Sequence, residues 1–164
     1  MTTALSRPAI LTPQQHRVAA QLVHGLPHQL IARQADLSGP GVASHLTSAR
    51  RRMGCPNSSR AVLVHALLTA REVPPPASTG PAPDFTDHER AVIRAIAEHT
   101  RNDSIGAAIG VRASDVRTEI DAVVTKAGAR SAAHLVGLAH TWGILGGTAT
   151  PRHQEPAASV AGPA

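Results

Sequence analysis

The chain is nearly devoid of aromatic side chains: it has one phenylalanine, Phe85, one tryptophan, Trp142, and no tyrosine. Proteins that hold single-stranded nucleic acid stack bases on aromatic rings, so RNA and single-strand binding are disfavoured. Cys55 is the single cysteine. That excludes a disulfide framework within one chain and suits a reducing, cytoplasmic compartment. No apolar run approaches the roughly 18 residues of a membrane span. The opening MTTALSRPAI has no long apolar stretch of the secretory kind. Lysine is scarce too, with Lys126 alone among 16 basic residues. Together with abundant alanine, this reflects the codon bias of a GC-rich genome of actinobacterial type.

Catalytic and cofactor patterns are missing as well. The run Gly143 to Gly147 fits neither GxGxxG nor a Walker A loop. No Ser/His/Asp arrangement stands out. Among ten histidines, His24 and His28 stand four apart. Gly25 and Pro27 between them break the helix that this spacing needs to bind a metal. Neither an enzyme nor a metal or cofactor protein is expected.

What is present is a repeat. The 164 residues suffice for one ordinary domain or two very small ones. At an offset of 74, Leu11-Thr12 falls on Phe85-Thr86, Val18 on Val92, Leu22 on Ile96 and Ile31 on Ile105. Leu37 then meets Val111, Val42 meets Val116, Leu46 meets Ile120 and Gly54 meets Gly128. After two inserted residues, Ala61 to Val64 match Ala133 to Val136. The expected organisation is an N-terminal tail (1–10), a first unit (11–72), a Pro-rich linker (73–84), a second unit (85–146) and a disordered C-terminal tail (147–164). Five prolines forbid a helix in the linker and favour an extended polyproline segment.

Each unit reads as four short helices, an all-α fold with a helix-turn-helix in each half. Thr12-Pro13-Gln14-Gln15 is a capping box with proline at the first helical position. Val18, Leu22 and Val23 make a stripe, and Gly25 ends it. Pro27 opens a second helix carrying Leu30, Ile31 and Ala35. Asp36-Leu37-Ser38 is a tight turn, with Ser38 capping a third helix that runs to about Met53. Val42, Leu46, Ala49 and Met53 face inward there. Leu63, Val64, Leu67 and Leu68 mark a fourth helix. In the second unit, Thr86 caps with Glu89 three residues on, and Val92, Ile93 and Ile96 form its first stripe. Ile105 and Ile109 belong to its second helix, Val116, Ile120 and Val123 to its third, and Leu135, Ala139 and Trp142 to its fourth.

A short helix, a tight turn and a longer amphipathic helix form the plan that sets the later helix in the DNA major groove. The carriers Leu11-Thr12-Pro13, Val18, Gly25-Leu26, Ile31-Ala32, Leu37-Ser38, Val42, His45-Leu46 and Gly54 resemble the LuxR/GerE-type DNA-binding domain across nearly the whole first unit. The second unit is similar but more divergent, and the pair is expected to lack a sensor domain. The resemblance implies base contacts from Ala43, Ser44 and Thr47, and from Arg117, Thr118 and Asp121 in the second unit. It implies phosphate contacts from Ser38 and Arg51. His45 matches a histidine common in the family and reads as a half-buried packing residue.

Charge separates the two units. Residues 11–72 hold seven arginines against Asp36 and Glu72, whereas residues 85–146 hold seven basic and seven acidic side chains. The net +5 of the chain therefore belongs to the first unit. Duplex DNA is held largely by phosphate neutralisation, with Arg50, Arg51 and Arg52 expected to clamp a backbone and Arg33 to assist. Ala43, Ser44 and Thr47 lack the bidentate groups that discriminate guanine or adenine, so selectivity is expected to be modest or read through shape. On the second unit Asp115, Glu119 and Asp121 oppose DNA, while Arg117 favours it.

The expected function is a nucleoid-associated transcriptional regulator that binds double-stranded DNA mainly through its first unit. The second unit then serves pairing, self-association or a second half-site. The chain acts as a homodimer joined through fourth helices or as an intrachain pseudo-dimer, since a linker of roughly 37 Å spans one helical turn between half-sites. The alternative is a protein-interaction regulator that binds RNA polymerase, a sigma factor or another regulator.

Overall fold

The computed structural model describes residues 10–78 and 80–146. Eight helices follow in order: α1 (Pro13–Val23), α2 (His28–Ala35), α3 (Gly39–Arg52), α4 (Arg60–Thr69), α5 (Asp87–Glu98), α6 (Asn102–Ile109), α7 (Val116–Ala127) and α8 (Ala132–Thr141). No strand occurs among the described residues, so the protein is all-α. The C-terminal tail expected from residue 147, and all of the N-terminal tail but Ile10, lie outside the described residues.

Local chemistry starts and stops these helices. Thr12 Oγ1 accepts the Gln15 N–H at 3.2 Å while Gln15 Oε1 accepts the Thr12 N–H at 3.1 Å. Thr86 and Glu89 repeat the same reciprocal cap at 3.1 and 2.8 Å. Each cap satisfies donors that the first helical turn leaves open. Ser38, Ser59 and Ser131 cap α3, α4 and α8 with their hydroxyls. Asp36 and Gly110 end α2 and α6 in the left-handed region, at φ 54 and 76. His99 ends α5 in an extended conformation, where Gly25 closes the first helical segment at φ 76.

α1, α2 and α3 pack on one another, and so do α5, α6 and α7. The long-range event is the meeting of α4 with α8. Both helices are apolar over more than one face. α4 buries Ala61, Leu63, Val64, Leu67 and Leu68, and α8 buries Ala133, Leu135, Val136, Gly137, Leu138 and Ala139. A helix that is apolar on several sides must be enclosed. Here α4 is covered by α1, α5 and α8, while α8 is covered by α1, α4, α5 and α7. The buried side chains of both halves form one contiguous cluster. Exchanging α1 to α4 with α5 to α8 carries each of these helix pairings onto another, apart from α7 with α8. That is the pattern of an isologous interface.

Close contacts fix this seam. A Cβ at Gly137 would stand 3.1 Å from the Val23 carbonyl oxygen and 3.1 Å from Pro76 Cγ, so a side chain there would crowd both neighbours. His65 Nδ1 and His140 Nε2 share a hydrogen bond at 2.9 Å across it. The Ser59 N–H donates to Thr100 Oγ1 at 3.2 Å. The linker has no regular secondary structure between Pro74 and Ser78, but it is not a free spacer. Val73 and Pro76 are buried, and Thr141 Oγ1 donates to the Pro76 carbonyl at 2.6 Å. Prolines leave their carbonyls as the only backbone partners, and α8 uses one.

Candidate nucleic-acid interface

α3 is the element whose outer face is open. Its buried residues Val42, Leu46 and Ala49 recur at spacings of four and three, which places them on one stripe against α1 and α2. Ala43, Ser44 and Thr47 are exposed on the rest of the helix. Thr47 Oγ1 donates to the Ala43 carbonyl at 3.0 Å. This back-bond occupies the hydroxyl proton and leaves Ser44 as the freer hydroxyl of the three positions. His45 is half-buried, consistent with packing.

The turn before α3 is braced by a histidine that the sequence offered only in a pair unsuited to a metal. His28 Nε2 donates to the Gly39 carbonyl at 2.8 Å, tying α2 to the first residue of α3. Its Nδ1 then faces Arg60 Nη2 at 3.5 Å. No local pattern announces this contact, because eleven residues and a turn separate the partners. Among the described residues no three His, Cys, Asp or Glu side chains converge as a metal site would need.

Ser38 Oγ accepts the Gly41 N–H at 3.0 Å and is itself exposed, so its own proton remains available to an oxyanion. Arg33 is exposed in the last turn of α2. The arginine triplet divides. Arg51 is exposed. Arg52 is exposed and donates from Nη1 to the Ile10 carbonyl at 3.0 Å. Arg50, also expected to clamp a backbone, is half-buried, and its Nε donates to the Ser58 carbonyl at 2.8 Å. Burial, and after it the Arg60 guanidinium, lower the pKa of Arg50. Its geometry braces the loop between α3 and α4, because position 50 lies one residue from the buried Ala49 and turns toward that loop.

Several charges of the second half pair with one another. Arg117 pairs with Asp121 at 3.8 Å, Lys126 with Glu89 at 2.7 Å, Arg101 with Asp103 at 2.8 Å, and His88 meets Glu119 at 2.9 Å. Among the described residues, none of these ion pairs engages an arginine of the first half. Thr118 is exposed on α7 beside Arg117. Asp115 precedes α7 without a side-chain cap bond, unlike Ser38 before α3.

A short helix, a left-handed turn and a side-chain-capped helix with one open face define a helix-turn-helix protein. Residues 9–65 match the model of the family described as bacterial regulatory proteins, luxR family. That segment, running from before α1 into α4, is a LuxR-family helix-turn-helix domain, the DNA-binding domain of transcription regulators. Neither a curated protein nor a solved structure matches the chain. Among the described residues, no helix is long and apolar enough to cross a membrane.

Proposed function

We propose that the chain is a cytoplasmic, nucleoid-associated regulator that grips duplex DNA through its first half. In this reading α3 enters the major groove with Ala43, Ser44 and Thr47 toward the bases. Ser38, Arg33, Arg51 and Arg52 hold the phosphates on either side. The observation that carries the reading is the outer face of α3: small exposed side chains, then Arg51 and Arg52 outside any ion pair among the described residues. With few hydrogen-bonding groups on that face, recognition rests on thymine methyl contact and groove shape more than on bidentate pairing.

The second half is a divergent copy of the same unit and acts as the intrachain partner of the first. The matching caps of α1 and α5, and the pairing pattern around α4 and α8, support this. Arg117 and Thr118 are secondary DNA contacts at most, because Arg117 is shared with Asp121. The self-neutralised surface of α7 favours contact with a protein, such as the transcription machinery, over contact with phosphates.

The test uses the full chain, since the halves share one core. Fluorescence anisotropy on mixed-sequence duplex DNA is measured across a salt series. Each phosphate contact contributes about 0.9 to the slope of log affinity against log salt. Arg51→Ala with Arg52→Ala lowers that slope by about 2 and weakens binding alike on all sequences. Intact protein that ignores duplex DNA at low salt overturns the proposal in favour of a protein-interaction regulator.

A further inference from the structure

A second site lies away from the outer face of α3, where the linker crosses between the halves. A cavity of about 470 Å³ is lined by His24 at the end of α1, Pro76 of the linker, Arg130 before α8, and His134, Leu138 and Trp142 of α8 and its cap. The volume falls in the range of small-molecule sites. Arg130 and His134 bring donors to its lining. His134 Nδ1 accepts the Arg130 backbone N–H at 3.1 Å, so the proton of the neutral ring sits on Nε2. The Arg130 guanidinium joins no ion pair among the described residues. The indole N–H of Trp142 is buried with no acceptor. No lining residue among those described carries a carboxylate. Electropositive crowding is visible in His134 itself: after burial, Arg130 and then His24 lower its pKa. Pro76, Ala127 and Leu138 supply an apolar wall beside these donors.

We propose that this cavity binds a small organic anion, an oxyanion group on an apolar body, with Arg130, His24 and His134 holding the charge and Trp142 in reach of the ligand. Because the lining comes from α1, the linker and α8, such a ligand ties the two halves together. The site stands independently of the DNA reading.

Trp142 is the only tryptophan, and the chain has no tyrosine, so the protein's emission comes from a residue that lines this site. Full-length protein is titrated with benzoate and, separately, with phenyl phosphate, with benzyl alcohol as the uncharged control, all at constant ionic strength. The expected result is a saturable change in Trp142 emission with at least one anion and none with the alcohol. The two anions distinguish a carboxylate from a phosphate-ester ligand. Arg130→Gln and His24→Gln, both at exposed positions, keep the fold by circular dichroism and weaken the response about tenfold each. The proposal falls if neither anion gives a saturable change, if the alcohol acts like the anions, or if Arg130→Gln leaves the titration unaltered.

Discussion

Replacing Leu67 by alanine tests whether the two halves are one cooperative body. Leu67 lies on α4 with none of its surface exposed. Truncating such a leucine removes the transfer free energy of three carbons and leaves a cavity, together about 2–5 kcal/mol. For a chain of this size each kcal/mol moves the melting midpoint by roughly 2–4 °C. A loss of about 3 kcal/mol therefore lowers the midpoint by roughly 6–12 °C. The decisive readout is Trp142, which caps α8 in the other half. If the seam of α4 and α8 couples the halves, Trp142 fluorescence and far-ultraviolet circular dichroism fall in one transition, and both shift together in Leu67→Ala. If the halves are independent domains on a linker, dichroism splits into two steps and Trp142 keeps its original midpoint. The second outcome would falsify the shared core.

Three further expectations follow from other contacts. Burial first, then the neighbouring His65, push the pKa of His140 down to about 4, below its unfolded value of 6.5. The unfolded chain thus takes a proton between those values that the folded chain refuses, so stability is full above pH 6.5 and falls as pH drops toward 4. Discounted for partial exposure, the loss is about 1–2 kcal/mol, and His140→Leu flattens the melting midpoint between pH 7.5 and about 5. Asp36 ends α2 at φ 54, where a side chain is strained. Asp36→Gly raises the midpoint by roughly 1–4 °C in calorimetry, and a fall of the same size would contradict the assigned backbone. Asp115→Asn with Asp121→Asn removes two exposed carboxylates near α7. Duplex affinity then rises by less than about twofold if α7 stays off the DNA, whereas a gain above about tenfold in anisotropy places α7 against phosphates.

Much of this architecture could be read along the chain because it is encoded within a turn or two. Thr12 with Gln15 and Thr86 with Glu89 are caps three residues long. Val42, Leu46 and Ala49 disclose an inward face by spacing alone. The left-handed ends at Gly25 and Gly110 follow from residue type. Arg50 shows the limit. In sequence it is the first of three equivalent arginines, and only the fold turns it onto the Ser58 carbonyl while Arg51 and Arg52 stay exposed. His28 is similar, because its partner at Gly39 lies across a turn.

The sequence by itself determined eight helices, their caps and the imbalance of charge between the halves, since these depend on neighbours a few residues apart or on simple counting. Only the tertiary structure decided that α4 closes on α8, that Pro76 is pinned beneath Thr141, and that His24 reaches the same cavity as Arg130 and His134. The apolar runs in α4 and α8 announce that something must cover them, but not what. That choice belongs to whichever distant surface removes the most apolar area from water, and a one-dimensional pattern carries no record of it.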